Sequence, residues 1–279
     1  MVWSAFPFAR VLGFGALCLL APALAPAQTP APFGEWQYSA GVVLRPRFED
    51  PLPDWDASVG LAEALLPRYP GSGQLHGQLS PAVDVYYKDI AFLSMGEGLG
   101  INLLHDANYR AGVSVGYDLG RDQHNARALQ GMGNIGVAAE PKLFGEVVLF
   151  PLVLRAALRR GIGGNDGWVG DLSAYSVIAG SSRYALFAGL TASAADQSFQ
   201  RRFFGVTPLQ AERSFHPAFN PGGGLESAGV GTNLLWFCSD HWLVTTEAAA
   251  QRLLGDAQRS PLSNDNLQLL WRTSIAYQF

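Results

Sequence analysis

The last thirteen residues alternate strictly in character. Leu267, Leu269, Trp271, Thr273, Ile275, Tyr277 and Phe279 share one face of an extended chain, while Gln268, Leu270, Arg272, Ser274, Ala276 and Gln278 share the other. Successive side chains of a strand point to opposite faces, so this period of two marks a strand with one greasy face and one mainly polar or small face. Tyr109 to Leu119 repeat the pattern, and so do Trp36 to Leu44. A lipid-facing barrel strand has this alternation over about 9–11 residues, with aromatics near its ends.

The start of the chain reads as a targeting segment. Arg10 supplies positive charge, Val11 to Ala25 form an apolar run, and Ala25-Pro26-Ala27 is an A-x-A cleavage site. The run is shorter than the roughly 20 residues of a spanning helix. Residues 1–27 therefore read as a signal peptide and 28–279 as the exported domain. Removing 1–27 takes away Arg10 and no acid, so the formal charge of −4 becomes 18 − 23 = −5. The one cysteine left, Cys238, follows Leu234-Leu235-Trp236-Phe237 and is expected to pack there. Charged residues are only 15% of the chain, against about 25% in soluble domains. There is no basic footprint for a nucleic acid.

Beyond residue 27 no apolar run of helix-spanning length is free of charge; the longest, Leu143 to Leu158, is broken by Glu146, Pro151 and Arg155. A chain that sits in lipid without spanning helices must close into a barrel, because lipid satisfies no backbone hydrogen bond. Further strands are predicted near 81–88, 90–103, 136–149, 151–160, 168–180, 183–195, 225–237 and 241–253. With the three alternating segments these make eleven. A bacterial barrel takes an even number, so one is missing or split, with Ala57 to Leu66 the place to look. The expectation is an all-β chain: a single antiparallel transmembrane β-barrel of twelve strands, ten as the fallback, in the outer membrane of a Gram-negative cell. A soluble barrel would show the same alternation; the export signal and the aromatic terminal strand favour the membrane.

The polar connections 119–134, 161–167, 196–223 and 254–266 fall on the outer side if the chain ends in the periplasm, as long loops do. Pro151 and Ser181-Ser182 mark tight inner turns. Within 196–223, Thr207-Pro208-Leu209-Gln210 reads as a helix start: a capping residue, a proline at the first helical position and a glutamine that reaches back.

Several segments resemble the MipA/OmpV family of outer-membrane barrels. They are Phe203-Phe204-Gly205-Val206-Thr207-Pro208-Leu209-Gln210-Ala211, Gly223 to Gly231, Arg252 to Ala257 with Ser260-Pro261-Leu262, and the terminal Ile275-Ala276-Tyr277-Gln278-Phe279. Gly98-Leu99-Gly100 and Leu129 to Gly133 are also similar. The resemblance departs from the family in two places. Where members carry a Tyr-Glu-Gly-Ser-like turn after the first strand, this chain reads Arg47-Phe48-Glu49-Asp50-Pro51. A Gly-Leu-Lys-Asp-like segment is altered at Glu226-Ser227. The resemblance implies a non-enzymatic scaffold that links a lytic transglycosylase and a penicillin-binding protein, hence murein cutting and synthesis, to the outer membrane. It implies no catalytic residue, cofactor or metal. The other reading is a narrow channel or a small-solute or surface-binding barrel. Lipid, lipopolysaccharide and the barrel assembly machinery are the remaining expected partners. Trp271, Ile275, Tyr277 and Phe279 are the expected insertion signal, and Phe204, Gly205, Val206, Thr207 and Pro208 the family-like loop.

The chemical motifs are thin. Gly131-Met132-Gly133-Asn134-Ile135-Gly136 matches GxGxxG but lacks the strand-before, helix-after context of a dinucleotide site; the glycines read as letting a strand begin or bend. His216 beside Ser214 is the best seed for a hydrolase dyad. Asn165-Asp166-Gly167 and Asp256 to Asp265 place carboxylates in outer loops, where calcium is one reading and solvated charge the commoner one. Arg110, Asp118, Arg155, Arg159, Asp171, Glu247 and Arg272 carry both signs and are expected to face the lumen and pair across it.

Overall fold

The computed structural model describes residues 54–279. They form one closed antiparallel barrel in which each strand pairs with the next and the last pairs with the first. The twelve strands are β1 Trp55–Pro67, β2 Leu75–Tyr87, β3 Ala91–Ser94, β4 Gly98–Asp106, β5 Tyr109–Asp118, β6 Ala138–Leu149, β7 Leu152–Arg160, β8 Trp168–Ser181, β9 Tyr184–Ala195, β10 Gly224–Phe237, β11 Trp242–Leu253 and β12 Leu267–Gln278. The predicted number holds, but its make-up differs. Ala57 to Leu66 is a regular strand and becomes the core of β1. The predicted strand 90–103 is two, because the chain reverses at Met95-Gly96-Glu97. The strand expected at 36–44 and the signal peptide expected at 1–27 lie outside the described residues.

Alternation does what the sequence requires of it. Along β12 Leu267, Leu269, Trp271 and Ile275 are about half exposed on the outer face, while Gln268, Leu270, Ser274 and Ala276 are buried. On β5 Tyr109, Val113, Val115 and Tyr117 point outward, and Arg110 and Ser114 point in. Leucines and valines left on the outside of a barrel belong to its lipid band. No helix among the described residues is long and apolar enough to cross a membrane.

The two ends of the barrel differ. One end carries short turns: 88–90, 107–108, 150–151, 182–183 and 238–241. Trp55, Tyr87, Trp242 and Tyr277 gather there, with the Trp55 and Tyr87 rings 4.6 Å apart. The other end carries 119–137, 161–167, 196–223 and 254–266. Short turns face the periplasm and long loops face outward. Cys238 is corrected here: it is exposed in a periplasmic turn rather than packed, because β10 ends one residue earlier.

The long loops fold into a roof. Asp196 accepts from the Phe199 amide and starts helix α1, Gln197–Phe204. Thr207 and Gln210 form the expected capping box at the start of α2, Pro208–Arg213. A third short helix, α3, spans Gly255–Arg259. Phe199, Phe203 and Phe204 pack with Ile135, Val169, Leu253 and Ala257, and Met132, Val206 and Leu262 form a second apolar cluster.

Candidate functional site

The lumen of this barrel is filled from its walls. β6 supplies Glu140, Lys142 and Glu146 at alternate positions, all buried, while Leu143 and Val147 face lipid. Glu146 accepts from Arg110 Nη2 of β5 at 3.3 Å, from Arg155 Nη1 of β7 at 3.4 Å and from the Tyr175 hydroxyl of β8 at 3.3 Å. Glu97, fully buried, reaches in from the β3–β4 turn to Lys142 Nζ at 2.8 Å and to the Arg155 guanidinium. Nearer the outer end Arg159 joins Glu140 at 2.8 Å and Asp171 at 3.1 Å, and Ser193 donates to Asp171 at 2.6 Å. Asn233 donates to Glu247 at 3.2 Å. Charges taken out of water hold their cost down only when paired and hydrogen-bonded, and Glu146 and Glu97 each meet two cations, drawn together from β5, β6 and β7.

An apolar band runs round the same lumen. Val148, Val153, Tyr175, Phe187, Leu235, Leu270, Leu66 and Ala64 are in contact on β6 to β12 and β1. Phe92 and Phe144 pack edge-on at 5.9 Å in a separate apolar cluster, and the Arg155 guanidinium lies 4.8 Å from the Phe144 ring.

Of the predicted lumen charges, Arg110, Arg155, Arg159, Asp171 and Glu247 enter these networks, and Asp118 accepts from Asn165 Nδ2 at 2.8 Å. Glu140, Lys142, Glu146 and Glu97 were not singled out in the sequence. The first three share the phase of Ala138 and Phe144 in an alternating strand, so the period alone places them inside. Glu97 sits in a turn and leaves no periodic signal.

Phe204, Gly205, Val206, Thr207 and Pro208 lie at the centre of the roof. Phe204 is fully buried and its carbonyl accepts from Ser260 Oγ at 2.6 Å. Val206 bridges to Phe219 through both backbone hydrogen bonds. Arg121 donates to the Phe203 carbonyl at 2.7 Å and Gln210 to the Met132 carbonyl at 2.6 Å. Burial pulls the Arg121 guanidinium down to about 10, against the opposing pull of Tyr69. The Asp256 carboxyl is held below its usual range by Arg259 and by the Gly222 amide. In the periplasmic turn before β3, burial pushes Asp89 up against the pull of Arg110.

His216 and Ser214 do not form a dyad. The His216 ring nitrogen Nε2 bonds the Ala128 carbonyl at 2.8 Å, and Ser214 Oγ accepts from the His216 backbone amide at 3.2 Å. The first bond ties loop 196–223 to loop 119–137, and the second is a turn within loop 196–223. The GxGxxG glycines also serve this loop rather than a strand start: Gly131 and Gly133 have φ of +86° and +74°, and β6 begins later. Trp271 and Ile275 face lipid, and Tyr277 stacks on His241 at 5.4 Å at the periplasmic rim, beside Phe279.

The model of the family described as MltA-interacting protein MipA matches residues 59–279. The chain belongs to the MipA family. Outer membrane protein OmpV of Vibrio cholerae serotype O1 is 24% identical over 180 residues, covering 64% of this chain and 67% of the relative. This chain is accordingly an outer-membrane barrel. Among solved structures, the KdgM porin is 9% identical with a TM-score of 0.37, covering 80% of this chain and 99% of its own. OmpF of Salmonella typhi is 7% identical with a TM-score of 0.38, covering 80% and 97%. The turn that follows the first described strand is Tyr69-Pro70-Gly71-Ser72, and Arg47 to Pro51 lie outside the described residues. Tyr69 and Ser72 are buried, and Gly71, at φ +96°, donates to Gln268 Oε1 at 2.9 Å.

Proposed function

We propose that this barrel is a non-enzymatic scaffold that holds a murein hydrolase of the lytic transglycosylase class, and with it a penicillin-binding synthase, at the outer membrane. The family match over residues 59–279 carries the reading, since the family is described by its interaction with such a hydrolase. The geometry supports it. The lumen is occupied by the chain's own ion pairs, and His216, the best catalytic seed, is spent on a structural bond. What remains free to bind a periplasmic enzyme is the rim of short turns, where Lys88, Asp106, Arg183, Asp240 and His241 are exposed. The test is crosslinking in intact cells on a tagged chain, with captured proteins identified by mass spectrometry. A lytic transglycosylase or penicillin-binding protein is expected above the level captured by an unrelated barrel, and charge reversal at Lys88 and Arg183 together should lower it. Capture no better than that control would end the scaffold reading.

A further inference from the structure

Among the described residues, the wall of the barrel is interrupted in its outer half. β2 pairs with β1 over its whole length, but on its other edge only Asp84–Tyr87 meet β3. Among the described residues, the nine from Leu75 to Val83 have no strand on that edge. On the far side β4 reaches Val115 of β5, and Gly116 to Asp118 pair with β6 alone. The cause is the early reversal after Ser94. Glu97 is drawn inward to Lys142 and Arg155, and Gly98, at φ +82°, lies so close to the Val115 carbonyl that a Cβ there would come within 2.3 Å of it. The result is a slot between β2 and β5, beneath the roof of outer loops.

Three observations bear on what the slot admits. The outward side chains on its margins, Leu75, Leu79, Leu99 and Val115, are apolar and exposed, which puts it at bilayer depth. Backbone N–H and C=O groups cannot face hydrocarbon unpaired, and are tolerated at that depth only where they line a hydrated cavity, so the bare edge of β2 belongs to the lumen side. Just inside, His76 Nε2 and Gln78 Oε1 are buried atoms with no hydrogen-bond partner. Beside them runs the end of the apolar band: Leu66 pairs with His76 and Ala64 with Gln78 across β1 and β2. Polar groups in want of a partner thus adjoin an apolar strip, at an opening onto the outer leaflet.

We propose that the slot is a lateral entrance for an acyl-chain lipid of the outer leaflet, whose polar head meets His76 and Gln78 while its chain stays along the apolar margin. This goes beyond the scaffold reading and does not rest on it. The test uses the full chain with Cys238→Ala, reconstituted in phosphatidylcholine vesicles with and without brominated phosphatidylcholine. Bimane is attached at Gln78→Cys or Ser80→Cys, both on the lumen face of β2. Leu79→Cys is the lipid-facing control, and Ser173→Cys, on the lumen face of β8, is the interior control. Folding of each variant is checked by heat-modifiable migration, and the two slot positions guard against failure of either. Brominated lipid is expected to quench the Gln78 and Ser80 probes to an extent comparable with Leu79, leaving Ser173 bright. If both slot probes stay as bright as Ser173, the slot is closed to lipid, whether by rearrangement or by residues ahead of Trp55, and the proposal is overturned.

Discussion

Glu146 shows how one residue holds a lumen together. Its carboxylate faces Arg110 from one neighbouring strand, Arg155 from the other and the Tyr175 hydroxyl from the strand beyond. Glu146→Ala leaves two buried guanidinium groups short of a carboxylate they now share. Removing one partner of a buried pair costs about 3–5 kcal/mol, and a reduction of that order is expected in urea unfolding followed by loss of the heat-modifiable band. Glu146→Gln keeps the shape but not the charge and should fall between. A loss under about 1 kcal/mol, the scale of an exposed pair, would show that the lumen is wetter than the geometry says. The sequence makes Glu146 legible as an inward residue, since strict alternation along β6 fixes its side. It does not make its partners legible, because register across strands decides which cation an acid meets. Glu97 is the extreme case: a turn residue whose place depends wholly on the reversal of β3.

At the level of elements, β12 carries most. It closes the ring by pairing Trp271 to Gln278 with β1, and its last amide, Phe279, donates to the Ala57 carbonyl at 3.0 Å. Gln278 reaches Asp56 at 2.9 Å, and Tyr277 packs against Phe279, His241 and Trp242. Removing Phe279 strips the seam of its end hydrogen bond and the girdle of one ring. Lower outer-membrane levels of the truncated chain are expected, read by quantitative blotting of membrane fractions; unchanged levels and unchanged heat-modifiable migration would show that the aromatic end is no insertion signal. Long alternating strands such as β12 and β5 were plain in the sequence because lipid on one side and a packed lumen on the other enforce a period of two. β3 was not, since four residues are too few to show a period. The break it makes lies inside the single strand predicted over 90–103, where Gly96-Glu97-Gly98 mark the reversal. The capping box of α2 was visible because it is local chemistry; the roof it belongs to was not, because contacts such as Phe204 to Ser260 join loops far apart in the chain.

For the whole molecule, strand number leaves the question of a pore open. Eight strands close on their own side chains, and sixteen to eighteen leave water inside; twelve lies between, so side-chain content decides. Here the contents are paired rather than merely present. Arg110, Glu146, Arg155, Glu97 and Lys142 link β5, β6, β7 and the β3–β4 turn, and the apolar band occupies the wall from β6 round to β1. Above them the roof is fastened by Arg121, Gln210, His216 and Ser260, each to a backbone carbonyl of another loop. An ion crossing from end to end would have to part several buried pairs and then the roof, at several kcal/mol for each pair broken. The purified barrel is therefore expected to give no single-channel steps in a planar bilayer at neutral pH. Regular steps from the unaltered chain would make it a channel and would set the paired lumen aside as an obstacle. If steps appear only in Glu146→Ala, the same network is what keeps the lumen shut.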